Sequence, residues 1–383
     1  MSSVLLVLIW LGNACLWMRL LNLLYSRPLH RRFLKSVRLL SGIAIFVAFP
    51  YLLVRLYPHY LTFSPDTVVA DVWFSLCLFA SVAVVPWVTL ARHLRPGPLQ
   101  VLSETTTTVD IAARLGRKPL GSGKYRRMAA LPWNNIFTID FTTLTLAPDR
   151  LPPEWDGLTI LHLSDIHLIG TPDRSFYETA FRICMEQPAP DLLIFTGDLI
   201  DTDAHLEWIV PLIGLLKWNC AAIGIMGNHD WWYDHPAARS RLESLGFHIL
   251  GNAWKTVEVR GIPMTAIGHE GPWFRPAPDL SDCPPDDFRL LLSHTPDNLP
   301  WAKANRVSLM LSGHVHGGQI RLRVFGSLFV PSGFGRKYDM GHFYESGTLL
   351  HVNRGLAGKE PLRYNCHPQI TRIVLKVARE KRR

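Results

Sequence analysis

Apolar residues are distributed very differently in the two parts of the chain. Over roughly the first hundred positions they run together, from Val4 to Met18, from Leu39 to Val54 and from Val69 to Ala91. A helix needs about 20 residues to cross the hydrocarbon core of a bilayer, so the third run is comfortable and the first two are slightly short. No basic residue precedes the first run, no small-residue cleavage site follows it, and two further runs come after. It therefore reads as a retained helix rather than a signal peptide. Residues 1–91 are expected to form a transmembrane module of about three helices.

From Ile136 onwards the apolar runs are short and end abruptly in polar residues. Phe137 to Leu146 alternates as a strand does. Leu158–Leu163, Leu192–Phe195, Ala221–Met226, Arg289–Leu292 and Ser308–Leu311 are each of strand length and apolar enough to be buried on both faces. Helical or loop material separates them, which predicts an α/β layered core over residues 135–383. The intervening residues 92–134 read as a basic linker carrying Pro96, Pro98, the threonine run Thr105–Thr108 and the stretch Gly121–Lys124.

Charge settles how the apolar runs are arranged. The formal net charge is +9, and Arg19, Arg27, Arg31, Arg32, Lys35 and Arg38 cluster around the junction of the first two runs. A second cluster, from Arg92 to Arg127, follows the third run. Their position beside apolar spans favours loops facing anionic lipid over a nucleic-acid surface, and no nucleic-acid partner is expected. The segment Tyr57 to Asp71 is poor in basic residues, so alternation puts the N-terminus outside and the large domain in the cytoplasm. Three short helices with few intramembrane polar groups offer no transport pathway. The six cysteines are far apart with no C-x-x-C pair, which excludes a disulfide scaffold and thiolate zinc sites.

The chemistry lies at the C-terminal end of each strand-like run. Leu163 is followed by Ser164-Asp165-Ile166-His167, Phe195 by Thr196-Gly197-Asp198, and Met226 by Gly227-Asn228-His229-Asp230. Leu292 is followed by Ser293-His294, and Leu311 by Ser312-Gly313-His314-Val315-His316. Five strands thus deliver Asp, His or Asn at the edge where open α/β sheets collect ligands. Asp165, His167, Asp198, Asn228, His294, His314 and His316 can together hold a pair of divalent ions sharing Asp198. Mixed oxygen and nitrogen ligation without thiolate suits Mn, Fe, Zn or Ni.

This ordered set of motifs, LHLSDIHL, TGDLID, MGNHD, LLLSHTPD and LSGHVHGGQI, resembles the calcineurin-like metallophosphoesterase superfamily, and its bacterial membrane-associated branch in particular. Val352–Leu356 and Pro361–Asn365 share that likeness, which covers about Ile136 to Lys376. The resemblance implies a four-layer α/β/β/α sandwich preceded by the transmembrane helical module, in the inner membrane. It implies that Asp165, His167, Asp198 and His316 bind one metal and Asp198, Asn228, His294 and His314 the other. A hydroxide shared by the two ions would be the nucleophile, His229 would stabilise or protonate the leaving oxygen, and Asp230 would orient His229. Where many relatives carry an acidic pair after Ile267-Gly268, this chain has His269-Glu270, a departure that bears on substrate contacts and not on the metal core.

The reading is a phosphoesterase acting on a phosphodiester or pyrophosphate, with a lipid or nucleotide-linked lipid as the substrate that the location favours. A soluble nucleotide phosphodiesterase and a phosphomonoesterase are the alternatives. An inactive membrane scaffold is disfavoured because every ligand and His229 is present. His162, His205, His235, His248, His342, His351 and His367 read as ordinary surface or core residues, and His269 stays unassigned. Asp201 and Asp203 read as caps, Arg336 and Lys337 as solvated cations, and Trp231-Trp232-Tyr233 as either a substrate entrance or a packed lid.

Overall fold

The computed structural model describes residues 3–61, 64–284 and 288–378. Thr62 and Phe63, in the segment expected from the sequence to face outward, and the last five residues of the large domain lie outside them. The chain forms two compact units, Met1–Pro96 with Leu322–Lys337, and Gly97–Arg321 with Tyr338–Arg383.

The first unit contains α1 (Ser3–Tyr25), α2 (Arg31–His59) and α3 (Val68–His93), each long and apolar enough to cross a membrane. At 1.5 Å per residue α1 is about 35 Å long. The apolar runs looked short because α1 continues past Arg19 and α2 starts at Arg31, eight residues before its run. Both α2 and α3 contain a π-helical turn, at Ala44–Ala48 and Ala80–Val84, just before Pro50 and Pro86. Proline lacks an N–H and crowds the carbonyl one turn back, and the wider turn accommodates it. Ile9, Phe49, Leu53, Phe74 and Cys77 form the buried seam of this unit.

The second unit holds two sheets. Its strands are β1 (Val101–Asp110), β2 (Thr138–Leu146), β3 (Thr159–Leu163), β4 (Leu192–Thr196), β5 (Ala221–Ile225), β6 (Phe247–Ile249), β7 (Trp254–Val259), β8 (Ile262–His269), β9 (Arg289–Ser293), β10 (Leu309–Ser312), β11 (Gly341–Glu345), β12 (Thr348–Val352) and β13 (Gln369–Leu375). The seven-stranded sheet runs β1-β2-β13-β3-β4-β5-β6 and the six-stranded one β11-β12-β10-β9-β8-β7. Successive side chains of a strand face opposite ways. Ile160, Leu192, Ile194 and Ile223 meet Leu290, Leu292, Leu309 and Leu311 between the sheets. Leu161, Leu163, Leu193 and Phe195 meet Phe176 and Phe181 of α4 (Arg174–Cys184) and Leu242 of α5 (His235–Ser244) on the other face. The short α6 (Leu299–Ala304) packs against β12, completing the α/β/β/α layering. Burial on both faces is why these strands read as unbroken apolar runs.

The reading of residues 92–134 as a linker needs correction. Val101–Asp110 pairs antiparallel with β2 along its whole length, from Val101 opposite Leu146 to Asp110 opposite Thr138. Being an edge strand it is almost wholly exposed and shows no apolar alternation. The β-branched run Thr105–Thr108 was its one signal.

Candidate active site

Three of the motif-bearing strands, β3, β4 and β5, are parallel neighbours in one sheet, and β9 and β10 are parallel neighbours in the other. Their C-terminal ends converge. His167 Nε2 lies 3.2 Å from His316 Nε2, 3.7 Å from Asp165 Oδ1 and 3.6 Å from Asp198 Oδ2. His316 Nε2 is 3.4 Å from Asp165 Oδ1. On the other side of Asp198, Oδ2 is 3.3 Å from His294 Nε2, which is 3.0 Å from Asn228 Oδ1, and His314 completes that group. All seven residues singled out from the sequence are thus brought together, in two groups joined at Asp198. Donor atoms about 2.0–2.2 Å from one cation stand roughly 3.0–3.6 Å from each other, so both groups have the spacing of a coordination shell. Asp198 Oδ2 is buried and has no hydrogen-bond partner, whereas buried acceptors are ordinarily satisfied.

The backbone is bent to achieve this. Asp165, His167, Asp198, His314 and His316 all have φ between 49° and 68°, a left-handed conformation uncommon outside glycine that costs about 1–3 kcal/mol at each position. Two glycines make room. A Cβ on Gly313 would sit 2.2 Å from Asp165 Oδ2, and one on Gly355 would sit 2.5 Å from Asp165 Cβ. Gly355 belongs to the strap after β12, in which Leu356 and Ala357 donate their N–H groups to Asp165 O. Arg363, fully buried, donates to the backbone carbonyls of His316, Arg354 and Ala357. The V-N-R-G-L and P-L-R-Y-N stretches therefore hold the metal-site loops from behind.

His229 has a partly exposed ring whose Nδ1 hydrogen-bonds Asp201. Asp201, which the sequence reads as a cap, is buried and also takes a 2.7 Å bond from His167 Nδ1. Burial alone would raise its pKa, but the His229 and His167 rings outweigh this and hold it below the usual carboxylate range. Asp203, read in the same way, accepts the Asp234 N–H. The expectation that Asp230 orients His229 needs correction. The Asp230 carboxylate points under the loop and accepts the N–H groups of Asp198, Leu199, Ile200 and Gly227 at 2.8–3.0 Å. It holds the β4 and β5 loops together, and Asp201 orients the ring. The two imidazoles bond different Asp201 oxygens, so replacing Asp201 by Asn leaves one ring its acceptor and confronts the other with an NH₂ donor. Hydrolysis by Asp201→Asn is expected to fall about 10–100-fold, as for other partners of metal-binding histidines. Steady-state kinetics on a saturating generic ester checks this, and an unchanged kcat would remove Asp201 from the site.

Two further neighbours carried little sequence signal. Glu270 accepts the Met226 N–H at 2.7 Å and pairs with Arg239, so the departure at His269-Glu270 braces the G-N-H-D loop. Burial lowers the His269 pKa to about 4, leaving it neutral beside Asn298. Trp273, nearly buried, lies with its ring centre 4.8 Å from that of His314 and 5.7 Å from that of His294. Trp232 meets His229 edge-on at 4.9 Å, which places one residue of the Trp231-Trp232-Tyr233 cluster at the site. His162 is a core residue bonded to Thr196 Oγ1.

A calcineurin-like phosphoesterase family profile matches residues 158–318, the stretch from β3 through the last of these motifs. The metallophosphoesterase YkuE of Bacillus subtilis is 32% identical over 254 residues, covering 62% of this chain and 86% of that protein. The chain belongs to the calcineurin-like phosphoesterases. As a member of that family it is a metal-dependent phosphoric ester hydrolase. The phosphodiesterase YaeI of Escherichia coli is 27% identical over 228 residues, 56% of this chain and 81% of its own length. A transmembrane protein with metallophosphoesterase domain from Bos taurus is 28% identical over 259 residues, 62% of this chain and 57% of the bovine one. The family depends on divalent metal, and the phosphoesterase fold here gathers the oxygen and nitrogen donors that such ions prefer.

Proposed function

We propose that the chain is a membrane-anchored phosphoesterase holding two divalent cations, drawn from Mn, Fe, Zn or Ni, and cleaving a phosphodiester or pyrophosphate at the cytoplasmic face of the inner membrane. Asp165, His167, Asp198 and His316 hold one ion, and Asp198, Asn228, His294 and His314 the other. The single observation that carries this is Asp198 Oδ2, buried without a hydrogen-bond partner between His167 Nε2 and His294 Nε2. When bound, the ions lower the pKa of water and neutralise the phosphoryl oxygens. His229, held through Nδ1 by Asp201, presents its other nitrogen to the leaving oxygen and supplies the proton as the P–O bond breaks. The three membrane-length N-terminal helices support an anchored domain, and the basic residues beside them support its lying on the side of the anionic leaflet. That location favours a lipid-linked phosphoester.

Nitrophenyl phosphodiester and monoester, offered to the detergent-purified protein after metal stripping and after Mn addition, test the reading. Mn-dependent cleavage is expected, reduced about 10²–10⁴-fold in His229→Ala, the contribution usual for a general acid. Preference for the monoester would reassign the substrate class. Lack of turnover of either ester by folded, Mn-loaded protein would overturn the reading.

A further inference from the structure

The segment Leu322–Lys337 begins six residues after His316, yet it belongs to the compact unit of the three N-terminal helices. Its neck is closed within the catalytic unit, where Arg321 Nη1 pairs with Asp339 Oδ2 at 2.8 Å. The excursion itself docks on one end of the helix bundle. The Val330 N–H donates to Asn22 Oδ1 at 3.0 Å, and Arg19 donates to Gly333 O at 2.8 Å. Phe329 meets Tyr25 edge-on, and Arg95 donates to Lys337 O at 3.2 Å. Asn22 and Tyr25 close α1, and Arg95 follows α3, so the excursion caps the end of the bundle where the basic residues gather.

Its outward surface is apolar. Leu322, Val324, Phe325 and Leu328 are 40%, 61%, 48% and 45% exposed, four large apolar side chains within seven residues. Within the catalytic unit the exposed large apolar residues, such as Trp133 and Val210, are scattered along the sequence, with Leu99 and Leu102 the one near pair among the described residues, as on ordinary surfaces. Arg323 interrupts the apolar set. On the same end of α2, Lys35 and Arg38 line a groove of about 460 Å³ floored by Leu39, Gly42, Ile43 and Val47. Apolar side chains with Arg323 among them and Arg336 donating to Phe325 O, at the end of a set of membrane-length helices, match the layering of an anionic lipid surface, acyl chains beneath phosphate.

We propose that Leu322–Leu328 is an interfacial lipid-binding hairpin, with Leu322, Val324, Phe325 and Leu328 in the outer acyl layer and Arg323 and Arg336 on anionic headgroups. The inference rests on the membrane-anchored reading of the chain. It adds a lipid contact made by a segment that interrupts the catalytic domain between the last metal-site motif and β11. Such a contact adds to the helical unit a lipid attachment made by a segment that the chain reaches from within its catalytic domain.

The test uses the full-length protein reconstituted into vesicles of phosphatidylethanolamine and phosphatidylglycerol, with a photoreactive benzophenone side chain at one of three positions. Phe46, exposed in the middle of α2, reports on the anchor. Phe325 reports on the hairpin. Lys217, exposed on the catalytic unit, is the water-facing control. After illumination, mass spectrometry of the labelled peptide is expected to find phospholipid adducts at Phe46 and Phe325 and several-fold less at Lys217. Adducts at Phe46 with none at Phe325, or with Phe325 joined only to protein, would overturn the hairpin while leaving the anchor standing. Equal yields at Phe325 and Lys217 would overturn it too. Absence of lipid at Phe46 would bring down the anchored reading and this inference together. As a second measurement, Val324→Asp with Phe325→Asp is expected to abolish lipid adducts from a benzophenone at Leu328 while nitrophenyl ester hydrolysis is unchanged. Retained adducts there would also overturn the assignment.

Discussion

Replacing Asp198 by Asn is expected to lower kcat/KM by at least about 10²–10³-fold, the loss that follows removal of one preorganised electrostatic contact to a transition state. Both donor groups depend on this carboxylate, and an amide offers one oxygen in place of two. Asp198 Oδ1 already accepts the His229 N–H at 2.8 Å, so the amide oxygen stays there and the NH₂ faces His167 and His294. Neither donor group then keeps the carboxylate oxygen it shares. Metal analysis after Mn loading and gel filtration is expected to show the content dropping by half or more, and the hydrolysis assay should fall with it. A variant that keeps both its metal content and its rate would show that the two groups do not share Asp198.

The second large effect falls on stability. Arg363 is fully buried and is the donor for three backbone carbonyls around the site. Arg363→Met keeps much of the side-chain volume and removes every one of those bonds. Each backbone carbonyl left buried and unpaired costs about 1–3 kcal/mol, so losing the three together costs several kcal/mol. For a domain of this size the unfolding midpoint is expected to drop by about 10 °C, read by calorimetry in detergent with metal removed. Metal removal matters because the arginine also holds the His316 loop, and lost binding would otherwise exaggerate the shift. A midpoint within a degree or two of the parent would mean that the strap is not held by this residue.

Much of the site was legible in the sequence because its chemistry is local. A run such as Leu192–Phe195 is apolar at every position since β4 is covered by the second sheet on one side and by helices on the other. The change from Phe195 to Thr-Gly-Asp marks where that cover ends. Five such endings in order carried the seven donor residues. Asp201 was missed because an Asp after a strand is more often a cap, and nothing in its neighbourhood along the chain names His167 or His229 as partners. Asp230 was given Asp201's role because it is adjacent to His229 in sequence, although adjacent residues in a tight turn point in different directions. β1 was missed because an edge strand facing solvent has no apolar face to display.

By itself the sequence determined the class of the molecule: membrane-length helices with basic flanks, an α/β domain, and an ordered set of Asp, His and Asn for divalent metal. These follow from hydrophobic periodicity, charge and ligand chemistry, all of which are properties of residues close together in the chain. Only the tertiary structure decided that the five motifs divide three and two between facing sheets, that Asp198 stands between both donor groups, and that Asp201 serves two imidazoles. It alone also showed that five of the seven donor residues have left-handed backbone, and that Leu322–Lys337 leaves the catalytic unit for the helical one. Each of these joins residues far apart in sequence, and such a pairing is set by which buried surfaces and hydrogen-bonding groups satisfy one another when the whole chain is packed.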